Sequence, residues 1–157
     1  MNLSELRSTQ DIYIDASPSD VFALVTSIER TGEWSPVCRS CWWEDETVTH
    51  QEGAWFKGRN ETPDRTWETR SLVTAYERDR HFQWAINGEV VVWGFVLSPE
   101  GEGTRLHETW EVTEKGLAFF GDKYGEDWEA QLAERRDAAL AGIPATLQAI
   151  KAIAEGH

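Results

Sequence analysis

The residue with the most chemical promise is Glu108. It lies in the stretch Thr104–Thr113, where Leu106, Glu108, Trp110 and Val112 alternate with Arg105, His107, Thr109 and Glu111. In an extended strand this alternation sends the first set to one face and the second to the other. Glu108 is then the one charge among apolar neighbours. A carboxyl group in apolar surroundings has a raised pKa, so it can act as a general acid or base or bind a ligand hydroxyl. The alternatives are an ion pair with Arg136, Arg59 or Arg70, or a strand-end position wetted by solvent. Arg136 is the matching oddity, because it falls near the middle of an apolar helical stripe. Asn60, in step with Phe56 and Gly58, is either an inward polar handle or a solvent-facing amide. As catalytic machinery, Glu108 would move a proton while Arg136 or Asn60 stabilised developing negative charge on an enolate oxygen. No nucleophile–base pair accompanies them.

Cys38 and Cys41 form a C-x-x-C, which read functionally is half a zinc site or a redox pair. There is no second C-x-x-C and no nearby histidine pair. In a regular strand the two thiols would point to opposite faces, so free thiols are expected. His50 and His81 lie by turns, His107 alternates outward and His157 is terminal. No metal-like spacing links them, and the sequence calls for no metal and no cofactor.

These groups need elements to position them. From Glu126 to Ala154, the residues Trp128, Leu132, Leu140, Ile143, Leu147, Ile150 and Ala154 fall within one stripe at about 100° per residue. The spacing predicts a helix roughly 40 Å long at 1.5 Å per residue. Glu126 and Asp127 suit its start and Gly156 its end. Pro144 predicts a kink or break near Leu140–Ile143. Ahead of it, Thr9–Asp15 reads as a strand, and Ser17-Pro18-Ser19-Asp20 as a capped helix start. A second short turn follows before Trp34-Ser35-Pro36, where Trp34 either lines an entrance or packs under the short helices. Strands are expected near 38–48, 54–61, 66–76, 80–86, 90–97 and 104–113, joined by tight turns into an antiparallel meander.

Asn87-Gly88 favours a two-residue hairpin turn. That turn pairs Ile86 with Glu89, Trp84 with Val91 and Phe82 with Trp93. It gathers Phe82, Trp84, Ile86, Val91, Trp93, Phe95 and Leu97 on one face, the one the long helix would cover. Nine tryptophans in 157 residues fit a hollow, aromatic-lined interior better than plain core. The expected wall is Phe82, Trp84, Trp93, Phe95 and Trp110 from the sheet, with Leu140, Ile143 and Leu147 from the helix.

Length suits one domain over residues 1–157, able to bury a core without disulfide or metal. Fifteen basic against twenty-eight acidic residues give a net charge of −13, which argues against nucleic acid and anionic membrane surfaces. The polar N-terminus is unlike a signal peptide, and no apolar run approaches a membrane span, so a cytoplasmic protein is expected.

The order of strand, two short helices, six-stranded meander and long C-terminal helix resembles the helix-grip fold, an α+β architecture with a curved seven-stranded sheet wrapped on the helix. The phrase IDASPSDVFALVTSIERTGEWSP resembles the opening of the polyketide cyclase/dehydrase branch of the START-like (SRPBCC) superfamily. GAWFKGRN, HFQWAI, VVWGFVL, EGEGTRLHETWEV and GIPATLQAIKAIAE resemble its later strands and helix end. The resemblance implies a cavity between sheet and helix for a lipid, sterol, polyketide or other apolar molecule. Three functions are compatible: a binding protein for such a ligand, a cyclase, dehydratase or hydrolase acting on it, or a protein-interaction module with a filled interior. Binding fits best, because the inward polar groups are few. Oligomeric state is not legible.

Overall fold

Short turns between alternating strands leave a chain little choice but to pair neighbours antiparallel, and that is how the sheet forms. In a computed structural model describing residues 1–156, seven strands run β1 (Arg7–Ile14), β2 (Cys38–Trp43), β3 (Trp55–Thr62), β4 (Arg65–Glu77), β5 (His81–Ile86), β6 (Val91–Glu100) and β7 (Gly103–Val112). Their order across the sheet is β1-β7-β6-β5-β4-β3-β2. The meander therefore folds back until β7 pairs with the N-terminal strand. The second strand is shorter than expected and ends at Trp43. His157 lies outside the described residues.

Helix α1 (Pro18–Val25) begins as its sequence dictates: the Ser17 hydroxyl accepts from the Asp20 amide at 3.1 Å, and Pro18 takes the first position. Val21, Phe22, Leu24 and Val25 are buried by it. A 3-10 turn over Ile28–Glu33 packs on β2. Trp34 is buried, which places it in the packing rather than at an entrance.

The hairpin at Asn87-Gly88 corrects the expected register. Asn87 and Gly88 do turn the chain, at φ of 56° and 85°. The ladder, however, pairs Ile86 with Val91, Trp84 with Trp93 and Phe82 with Phe95. The whole strand is displaced by two residues from the expected pairs. Because the side-chain period is two, that shift keeps every residue on its expected face. The cause lies beyond β7. Thr113 donates from its hydroxyl to the carbonyls of Glu89 and Val90 and from its amide to Val90 at 3.2 Å. Lys115 adds an ion pair to Glu89 at 2.8 Å. Together these contacts hold Glu89 and Val90 out of the ladder.

Thr113 also caps an element the sequence did not disclose, α2 (Glu114–Tyr124), by accepting from the Gly116 amide at 2.9 Å. Gly116 is required there, since a Cβ would collide with the Val90 carbonyl oxygen. A 3-10 turn leads into α3 (Trp128–Ala154), which runs through Pro144 without a break. Its buried stripe is Leu132, Ala139, Ile143, Thr146, Leu147 and Ile150. Pro144 is exposed, so its ring faces solvent. Its missing N–H leaves the Leu140 carbonyl without the usual donor four residues on. Gln10 of β1 supplies a replacement, with Nε2 reaching that carbonyl at 3.5 Å. Leu140 itself is 44% exposed and does not line the interior as expected. It lies on the same helix flank as Lys151, whose Nζ donates to the Tyr13 carbonyl at 2.8 Å. That flank overhangs the β1 edge.

Pro144→Ala restores the missing donor and should raise the unfolding free energy in urea by about 1–3 kcal/mol. Gln10→Ala alone should cost about 1 kcal/mol, and most of that cost should vanish in the Pro144→Ala background. A Gln10→Ala cost unchanged by the second substitution would show that the amide does not serve this carbonyl.

Candidate functional site on the concave face

Strand β7 places Glu108 between Leu106 and Trp110 on the face toward α3, opposite Gln10 of β1 and Phe95 of β6. Glu108 is 4% exposed. Its Oε1 has no hydrogen-bond partner among the described residues. The nearest polar side chain across the ladder is the Gln10 amide, and that group is turned to the Leu140 carbonyl. Burial alone pushes the Glu108 carboxyl up to about 8, with no facing cation to offset it. At neutral pH the group is therefore mostly the protonated acid.

None of the cations weighed as partners reaches it. Arg136 pairs with its neighbour Asp137 at 3.3 Å. Arg70 is bound to Glu44 at 2.5 Å and stacks over Trp55 at 3.7 Å from the ring centroid. Arg59 is exposed, in step with the strand face opposite Asn60. Asn60 is inward and buried, and its Nδ2 donates to the Trp67 carbonyl at 3.4 Å and to Thr69 Oγ1 at 3.2 Å. Its amide hydrogens are committed to the sheet.

Around Glu108 the wall is aromatic. Trp93 and Trp110 meet edge to face at 6.5 Å between centroids. Trp84 touches Phe82 at 5.1 Å, Phe95 at 5.8 Å and Phe56 at 6.1 Å. Phe82, Phe95 and Trp110 are fully enclosed, as are Ile143 and Leu147 on α3. Trp84 and Trp93 share that inward face yet stay only half-buried. Helix α3 packs chiefly on β1 and less on β7, whereas these two rings stand on β5 and β6. Trp43, opposite Phe56 and thus on the same face, contributes a second orphan: its buried indole N–H has no partner among the described residues. Nothing in the alternation pattern marks that atom.

Cys38 and Cys41 also correct an expectation. A bulge between Cys38 and Ser40 puts both sulfurs on the concave side, 3.1 Å apart, instead of on opposite faces. Among the described residues no three His, Cys, Asp or Glu side chains converge as metal ligands. His50 lies against the Trp43 ring and His81 near Glu77, so neither meets Glu108. The open clefts of about 420 and 670 Å³ lie at the start of α1 and the β4–β5 turn, bordered by Ser19, Arg78 and Asp79. None of the expected wall residues borders them. No helix among the described residues is long and apolar enough to cross a membrane.

A family model described as "Polyketide cyclase / dehydrase and lipid transport" matches residues 5–148. The solution structure of the Polyketide_cyc-like protein Cgl2372 from Corynebacterium glutamicum is 49% identical, at a TM-score of 0.70 over 95% of this chain and 91% of that one. The di-domain ARO/CYC StfQ of the steffimycin biosynthetic pathway is 17% identical with a TM-score of 0.71. This chain covers 52% of StfQ. Protein NE0264 from Nitrosomonas europaea is 15% identical at a TM-score of 0.66, over 94% and 93% of the two chains. The last two likenesses show the fold alone. No curated protein sequence matches the chain significantly.

Because folding raises the Glu108 pKa from an ordinary 4.5 to about 8, the folded state holds this proton more tightly than the unfolded chain. The associated stability is fully present below about pH 4.5, declines as pH rises, and is gone above about pH 8. The span is on the order of several kcal/mol. Glu108→Gln should flatten this part of the stability–pH curve and leave the variant more stable than the parent at pH 9. An identical slope in both proteins would mean that Glu108 titrates as a solvated acid.

Proposed function

Since the chain belongs to the polyketide cyclase/dehydrase and lipid transport family, we propose that it binds an apolar small molecule bearing a hydroxyl or carbonyl group on the concave face of its sheet. The observation that carries this reading is the buried Glu108 carboxyl with an unsatisfied oxygen beside half-buried tryptophans. Leaving a polar atom unpaired inside a protein costs about 1–3 kcal/mol, and a ligand hydroxyl or carbonyl recovers that cost on binding. Trp84 and Trp93 supply the apolar contact, since each can lose its remaining exposed area to a ligand. Phe82, Phe95 and Trp110 flank these rings on the same face, and Ile143 and Leu147 belong to the core beside them. A protonated Glu108 can donate to a carbonyl and accept from a hydroxyl.

A cyclase or dehydratase reading rests on the same group. An acid with a pKa near 8 suits proton transfer around neutral pH. Of the helpers it would need, Arg136 is turned to Asp137 at the helix surface and the Asn60 amide hydrogens go to the sheet. One acid without an oxyanion partner favours binding over turnover. Leu140 and Arg136 therefore leave the proposed ligand set. Asn60 remains as a fixed part of the floor.

Titrating a panel of polycyclic phenols, sterols and fatty acids should quench tryptophan fluorescence saturably for at least one class, with micromolar affinity, about −8 kcal/mol. Trp93→Ala and Trp84→Ala should each weaken that ligand at least tenfold, whereas Trp42→Ala and Leu140→Ala should change it little. Glu108→Gln should retain binding, with a smaller loss confined to ligands that carry the polar group. No saturable quenching anywhere in the panel would favour a protein-interaction module with a filled core.

A further inference from the structure

The C-x-x-C is built differently from a pair of structural thiols in a regular strand. On β3, Cys38 stands opposite Asn60, but Ser40 stands opposite Arg59, so one extra residue is inserted between them. Such a bulge rotates the chain locally, and it returns residues three apart to one face. Beneath them lies Gly58, opposite Cys41. A Cβ at Gly58 would sit 3.4 Å from both sulfurs and 3.3 Å from Thr69 Oγ1. The two thiols thus share one bare patch of the concave wall, next to the Asn60–Thr69 hydrogen bond. Both cysteines are free, and their sulfurs are within hydrogen-bonding reach at 3.1 Å.

We propose that Cys38 and Cys41 form a reversible dithiol–disulfide site on this wall, oxidised by small hydroperoxides. The proposal stands on the geometry of β2 and β3 and is independent of the ligand reading. A structural zinc site is disfavoured, because it needs four ligands and no third candidate joins the pair among the described residues.

The two sulfurs are inequivalent. The Cys38 S–H donates toward Cys41 and lowers the Cys41 thiol from its ordinary range; burial opposes this and the Thr31 hydroxyl assists it. The same contact, together with burial, raises Cys38. Cys41 is therefore the nucleophile. It is 8% exposed, so the oxidant must be small. The Cys41 thiolate attacks the terminal peroxide oxygen, the O–O bond breaks, and the departing alkoxide or hydroxide takes up a proton. Cys41 is then a sulfenic acid. Cys38 sulfur attacks Cys41 sulfur, the S–O bond breaks, and water leaves with the Cys38 proton. Two electrons pass from the thiols to the peroxide, and one S–S bond forms. In the reverse direction an external thiol attacks Cys38, the more exposed sulfur, and Cys41 leaves as the better-stabilised thiolate. A second external thiol then attacks the outer sulfur of the mixed disulfide, that S–S bond breaks, and Cys38 leaves and takes up a proton.

The test treats the native protein with hydrogen peroxide and follows it by intact mass and maleimide labelling. The expected product is monomeric, two hydrogens lighter, unreactive to maleimide at both cysteines, and restored by dithiothreitol. In Cys38→Ser, dimedone should trap a sulfenic acid on Cys41; Cys41→Ser should react with peroxide at least tenfold more slowly than the parent. The proposal is overturned if the parent gains oxygen at one cysteine without forming the bridge. It is also overturned if the parent links between chains, or if both thiols stay labelled at peroxide levels that consume free glutathione.

Discussion

Where α3 sits along the sheet bears on which groups of the concave face keep their partners. Contacts that moor the helix at the β1 edge include Lys151 on the Tyr13 carbonyl, the Glu155 carboxylate on the Asp15 amide, and the Gln10 amide on the Leu140 carbonyl that Pro144 leaves without a donor. That mooring has two results. It seats the helix chiefly over β1, while Trp84 and Trp93, on strands farther from that edge, are only partly buried. It also takes up Gln10, the one polar side chain directly across the ladder from Glu108. The orphaned acid thus follows from one packing decision, and a proline in a helix is part of its cause.

The sheet was legible because the information that specifies it has a period of two. An error of two residues in the hairpin at Asn87-Gly88 left Phe82, Trp84, Trp93 and Phe95 on the expected side. Glu108 was placed inward by the same parity. Helical stripes are less forgiving, since a residue at the margin of a broad apolar arc can go to either side. Leu140 and Arg136 are such residues, and the mooring at β1 turned Leu140 outward while Asp137 engaged Arg136. The bulge in β2 was hidden because nothing local announces it. Its consequence for the two cysteines shows only against β3, where Cys38 meets Asn60 and Cys41 meets Gly58 on one face. Helix α2 was missed for a related reason: Gly116 and Gly121 lower its intrinsic propensity. Its position is fixed by Thr113 and Val90, which meet only once the sheet has formed.

The chemistry of the concave face was legible as residue types but not as partnerships. Sequence shows an acid, an arginine and an asparagine with inward parity. Only the fold shows that the Asn60 amide hydrogens go to the sheet and that Arg136 is turned to Asp137 at the helix surface. That distinction separates a catalytic constellation from a binding surface, because a transition-state contact requires a donor free to make it. Asn60 serves the β3–β4 ladder and Arg136 the surface of α3. Of the three, Glu108 is the one that keeps a buried polar atom without a partner among the described residues.

Charge completes the argument about what such a face would accept. The molecule carries a net charge of −13, and like-charged ligands meet repulsion before contact. Inside, the carboxyl is raised to about 8 by burial, so near neutral pH the wall is uncharged despite its acid. An anionic ligand would face repulsion on approach and loss of hydration on entry, with no buried cation among the described residues to compensate. A cation would be drawn to the surface, yet it would enter a site whose acid is protonated. Ionising that acid to meet it would itself cost the burial penalty that raised the pKa. A neutral molecule with one hydrogen-bonding group escapes both costs. The selectivity expected of this face therefore comes from keeping a carboxyl neutral, a condition that holds only while Glu108 lacks a counter-ion.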